Sequence, residues 1–163
     1  MIKINCYITT QDDLHKTFCQ LAEKCYYANL RTNVITQNSD YTKSLDRVLW
    51  TYSKKHFIPH ATDADSLPEK QPIYITDKLD NPNQADSIMF INPDKAMFLE
   101  TIAKDSKLNL ESFQKISLLF DDIQKIQILE IDNLLKKSPI KEFEINLFVK
   151  NQQKMWQKTP ITN

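Results

Sequence analysis

Residues 2–36, IKINCYITTQDDLHKTFCQLAEKCYYANLRTNVIT, place two short extended runs on either side of one helical pattern. Ile2 to Ile8 alternates apolar and polar side chains, the period of a strand. Leu14, Phe18, Leu21, Ala22, Cys25 and Ala28 then recur on one helical face, and Thr10 followed by Asp13 predicts a cap where that helix begins. Asn33-Val34-Ile35-Thr36 is a second strand. Tyr41, Leu45, Val48 and Leu49 line one side of a second helix, capped by Ser39 or Asp40 and ending near Trp50. Strand, helix, strand, helix predicts a parallel sheet with helices packed on it.

The rest of the chain extends this pattern. Pro59 stops any helix from running through His56 to His60, and 61–71 is polar and loop-like. Pro72 to Thr76 and Ser87 to Ile91 are β-branched and apolar, separated by turn-rich residues around Asn81-Pro82-Asn83. Asp94 to Gln114 predicts two short helices, and Ser117 to Phe120 a short strand with Asp121 capping a long helix after it. In that helix Ile123, Ile126, Ile128, Leu129, Ile131, Leu134 and Leu135 spread nearly round the axis, so something besides the sheet should cover it. After Ser138-Pro139, Phe143, Ile145, Leu147 and Val149 alternate with polar residues as a half-buried final strand. The expected organisation is one α/β domain over 1–150 and a polar tail over 151–163 in which Trp156 stands isolated.

Composition excludes several functions. The 163 residues contain no glycine, where an average chain would have about a dozen. Phosphate-cradling loops need backbone at positive φ without a Cβ, so Walker and dinucleotide fingerprints cannot be built, and no cofactor is expected. Asn29, Asn33, Asn38 and Asn81 are candidates to close helices and turns instead. Lysine plus arginine equals aspartate plus glutamate at 21 each, so any nucleic-acid contact has to come from a local patch. Three cysteines make no disulfide framework; Cys19 and Cys25 read as small apolar residues in a reducing compartment. With no apolar run of about 20 residues and no signal block, a soluble, cytoplasmic protein without a membrane partner is expected.

The chemical candidates are few. His56 and His60 have an i, i+4 spacing, but Pro59 breaks the geometry and no third ligand is at hand, so they read as polar loop histidines and no metal site is expected. Asp121-Asp122 and Asp63-x-Asp65 read as caps and solvated charges; an alternative is a small metal-dependent α/β hydrolase using Asp121 and Asp122. Trp50 and Phe57, seven residues apart across a helix end, are either covered by their own loop or anchors for a partner. From Asn133 onward Lys136, Lys137, Lys141, Lys150, Lys154 and Lys158 face only Glu142 and Glu144, a basic end suited to an acidic peptide or simply solvated.

Leu45-Asp46, Leu49-Trp50, Phe57 and Pro59-His60, with the order of elements around them, resemble the chi subunit family of bacterial DNA polymerase III. That resemblance implies a three-layer Rossmann-like fold, with a central mostly parallel sheet and no nucleotide-binding loop, and no enzymatic activity in the chain itself. It implies a replication adaptor that pairs with a psi-like clamp-loader subunit through Trp50 and Phe57. It also implies binding of the acidic C-terminal tail of single-stranded DNA-binding protein, nucleic acid being met only through that protein. Lys136 matches a basic position of the tail site, while a principal arginine position falls on Asp132, which shifts the expected contact toward Lys137 and Lys141. Two departures from the family accompany this: a longer Asp94–Gln114 region, and Ser138-Pro139 in place of a glycine-containing turn.

Overall fold

A computed structural model describes residues 2–103, 106–121, 125–138, 140, 142–151 and 153–159. Because Ser87 to Ile91 and Thr32 to Ile35 are buried at every position, they lie where both faces of a sheet are covered, as in parallel α/β architectures. The strands are β1 (Ile2–Thr9), β2 (Thr32–Ile35), β3 (His60–Thr62), β4 (Ile73–Thr76), β5 (Ser87–Ile91), β6 (Lys115–Asp121), β7 (Phe143–Lys150) and β8 (Trp156–Thr159). They form one sheet in the order β3-β4-β2-β5-β6-β1-β7-β8, parallel except for the antiparallel β7–β8 pair.

Among the described residues four helices cover it: α1 (Gln11–Tyr27), α2 (Ser39–Thr51), α3 (Lys95–Thr101) and α4 (Lys125–Lys137). On one face Leu14, Phe18 and Leu21 of α1 and Leu45 and Leu49 of α2 pack on Val34, Ile75, Met89 and Leu119. On the other, Phe98 of α3 and Ile131 and Leu135 of α4 pack on Ile4, Cys6, Phe90, Leu118 and Phe120. This is the three-layer Rossmann-like arrangement. α3 lies against α4, which supplies the extra cover its apolar circumference calls for. All three cysteines are buried free thiols.

Several local expectations change. The cap of α2 is Asn38, whose side chain accepts from the Tyr41 amide at 2.9 Å; Ser39 is the first helical residue. Thr10 precedes α1, but its side chain makes no capping bond, and Ala28 lies past the helix and is exposed. The loop expected over 61–71 holds β3, paired to β4, and a 3-10 turn at Pro68–Lys70. The second short helix before β6 is a single 3-10 turn, Leu110–Ser112. β6 runs on to include Asp121, so that residue ends a strand; the cap of α4 falls on residues outside those described. Trp156 is not isolated: it opens β8, which folds back on β7.

Asparagine does substitute for glycine at two left-handed positions, Asn29 (φ 55) and Asn92 (φ 48). Asn29 closes α1, with its amide donating to Tyr26 and the Leu30 amide to Cys25. Asn81 ties its turn by bonding both the amide and the carbonyl of Ala85, whereas Asn33 sits within β2.

Candidate functional site

α2 is amphipathic, and Trp50 follows the buried Leu49 by one residue, about 100° round the helix and away from the core. The chain then turns where Ser53 Oγ accepts the amides of Lys55 and His56, and runs through Phe57 to β3. Ile58 is buried and anchors this return, which leaves Phe57, its neighbour in extended chain, facing outward. Trp50 is 56% and Phe57 60% exposed, with ring centroids 5.2 Å apart. The structure therefore brings the two rings together on the surface and does not bury them under their own loop.

Beneath them lies His60. Its side chain is fully buried, its ring 5.0 Å from that of Trp50. Nδ1 lies 2.7 Å from the Ile58 carbonyl, and Nε2 faces Asp46, 3.3 Å from its carbonyl and 3.4 Å from a carboxylate oxygen. His60 is thus a buried strand residue with an acceptor facing each ring nitrogen, not a polar loop histidine. The spacing becomes one physical unit: Leu45 and Leu49 seat the helix, Asp46 and His60 fix the floor, and Trp50 and Phe57 lie on it. The sequence signal for this floor was the pairing of Leu45-Asp46 with the Pro59-His60 dipeptide in one motif. At the border Tyr27, 59% exposed, meets the edge of His56, which lies 3.7 Å from Glu23.

The basic end does not form one surface. Lys136 pairs with Asp132 one helical turn before it on α4, while Lys150 pairs with Asp13 and Lys158 with Glu144 on the β7–β8 hairpin. Lys137 is exposed at the end of α4; Lys141 lies outside the described residues. α4 packs on the sheet face opposite α2, so the lysine end of α4 and the aromatic pair belong to different layers.

The carboxylates have local partners. Asp65 accepts the amide and hydroxyl of Thr62, and Asp63 pairs with Lys78 at 3.2 Å. The Asp121 amide is held by Asn92, and Asp122 lies outside the described residues. Among the described residues, no group of three His, Cys, Asp or Glu side chains is placed to hold a metal.

In folds of this layout, ligands bind beyond the carboxyl ends of the strands, where neighbouring connections diverge, with phosphate on a helix N-terminus. Here that position is lined by Thr9, Thr10, Gln11, Asp12 and Asp121, next to Asn38, Tyr41 and Asn92. Asp12 and Asp13 occupy the first turn of α1. Burial and then the nearby Asp121 push the Tyr41 hydroxyl up to about 12. The crevice carries negative charge where a nucleotide fold needs amides, so it is shaped against phosphate.

Fold and surface together define a Rossmann-like protein with acidic side chains lining the crevice beyond its strand ends and an exposed aromatic patch at the end of its second helix. The chain belongs to the DNA polymerase III chi subunit family. The model of that family, "DNA polymerase III chi subunit, HolC", matches residues 1–128. A protein of Rickettsia prowazekii (strain Madrid E), described as "Probable DNA polymerase III subunit chi", is 35% identical over 159 residues, covering 97% of this chain and 92% of the relative. Membership gives the chain an accessory role in DNA replication. No helix among the described residues is long and apolar enough to cross a membrane.

Proposed function

We propose that this chain is a non-catalytic adaptor of the polymerase III holoenzyme. Trp50 and Phe57 dock a psi-like clamp-loader subunit as a heterodimer, and the end of α4 holds the acidic C-terminal tail of single-stranded DNA-binding protein. One observation carries the reading: two large rings in mutual contact, each more than half exposed, stand on a buried and hydrogen-bonded histidine. Aromatic anchors held rigidly before binding are what interface hot spots are made of, because little side-chain entropy is lost on association.

The tail-binding half rests on Lys137 and Lys141, with Lys136 partly neutralised by Asp132. Co-purification with the psi-like subunit tests the first half: Trp50→Ala and Phe57→Ala lose the partner while keeping the fold, and retention by both defeats it. An acidic, phenylalanine-ended peptide tests the second half. Its binding weakens with salt and with Lys137→Glu, and salt-independent or absent binding removes it.

A further inference from the structure

The apolar cluster beneath α1 and α2 contains no residue of β7 or β8; Tyr7 of β1 packs at its margin. Beyond that margin, alternation along β7 and β8 brings Phe148, Lys150 and Trp156 to the same sheet face as Tyr7. Tyr7 stacks on Phe148 with centroids 5.2 Å apart and planes 17° from parallel, and Trp156 meets Tyr7 edge-on at 5.3 Å. The Lys150 ammonium lies 5.2 Å from the centre of the Trp156 ring. A groove of about 430 Å³ runs beside α1 here, with Lys16, Gln20, Lys24, Lys154 and Trp156 in its walls.

The two carboxylates of the groove are already engaged. Asp13 holds Lys150 at 3.3 Å, and Glu23 accepts the Tyr52 hydroxyl at 3.2 Å. Lys16, Lys24 and Lys154 are exposed, and none of the three is in an ion pair among the described residues. Lys16 and Lys24 are eight residues apart on α1, about 12 Å along the axis, so the positive charge forms a line and not a point.

We propose that this face binds single-stranded nucleic acid, with Lys16, Lys24 and Lys154 tracking the phosphates and the ring cluster ending in Trp156 taking an unpaired base. Lysines along a groove beside half-buried rings on a sheet are the two components of sequence-tolerant single-strand binding. A duplex hides its base faces and would meet only the lysines. A peptide carboxylate cluster would leave the rings without a flat partner. The zero net charge of the chain makes the contact local and weak, and it adds a direct contact to the indirect one that the family resemblance implies. The assignment uses neither Trp50 nor Phe57 and stands or falls apart from the partner surface.

Fluorescence anisotropy of a labelled twelve-residue thymidine oligonucleotide, titrated with the full chain from 50 to 300 mM salt, tests it. Saturable binding is expected, with a log–log salt slope of about −2 for three neutralised phosphates on a single strand. Lys16→Glu and Lys24→Glu, both on the exposed side of α1, make the slope shallower and weaken binding. Trp156→Leu weakens it about tenfold with the slope unchanged. That split separates a built site from loss of folding, which would abolish both responses alike. No saturable binding at 50 mM salt overturns the proposal, as does equal binding of a duplex of the same length. Tighter binding of an acidic peptide, lost in the same variants, would make the face a peptide groove and overturn it too.

Discussion

Removing the Trp50 indole tests whether the aromatic patch is a docking surface or a tolerated exposure. A whole indole side chain buries at most roughly 250 Å², and at 56% exposure about 140 Å² of it is available to a partner. At about 25 cal/mol/Å² complete cover is an upper limit near 3.5 kcal/mol; with incomplete cover, Trp50→Ala costs about 2–3 kcal/mol of binding. That is about 30- to 150-fold in Kd, read by isothermal titration against the psi-like subunit. The monomer should hardly notice, since the indole rests on Phe57 and His60 without entering the core cluster. A loss of about 1 kcal/mol or less, or about 2–4 °C in Tm, is expected. Because Phe57 touches Trp50, the double variant should lose less than the two single losses combined. A Kd within threefold of the parent, with Tm unchanged, would refute the reasoning: the rings would then be exposed for no energetic purpose in this complex.

Replacing Asp132 with Asn frees Lys136, and affinity for an acidic phenylalanine-ended peptide should rise up to about fivefold at low salt, the advantage fading at high salt; unchanged affinity would place the peptide elsewhere. Asn38→Ala removes the acceptor of the Tyr41 amide and should lower stability by about 1 kcal/mol in urea unfolding, more than Ser39→Ala. Burial pushes the thiols of both Cys6 and Cys19 up to about 12, so the folded state keeps protons that the unfolded chain releases above about pH 8.5. Their contribution is complete below that pH and is lost as pH climbs toward 12. The urea midpoint should therefore fall between pH 9 and 11, less steeply in Cys6→Ala; a flat profile would contradict it.

What the sequence revealed and what it hid divide along one physical line. Elements were legible where side-chain period reports burial directly, as in Ser87–Ile91, buried throughout, or the Leu14–Phe18–Leu21 stripe of α1. They were hidden where burial depends on a distant partner. β3 is three residues long and is held by its pairing to β4 and by His60 reaching back to Asp46. Trp156 meets Tyr7 edge-on, at the other end of the chain. The basic end looked uniform because a charge sum over consecutive residues cannot register Asp13, which meets Lys150 only once α1 is folded beside β7. The cap of α2 was ambiguous because Asn38, Ser39 and Asp40 are all competent; the extended backbone of Asn38 decides among them. The aromatic site shows the same division within one motif. Trp50 and Phe57 were visible as residues that a helix end cannot bury, but their purpose as a unit depends on His60, which looks polar in sequence and is the buried floor in space. A buried imidazole enclosed between Ile58 and Asp46 leaves the indole and the phenyl ring few alternatives to the arrangement a partner would meet. If the two rings meet a partner as proposed, recognition rests as much on Asp46 and Ile58, which enclose His60, as on the rings themselves.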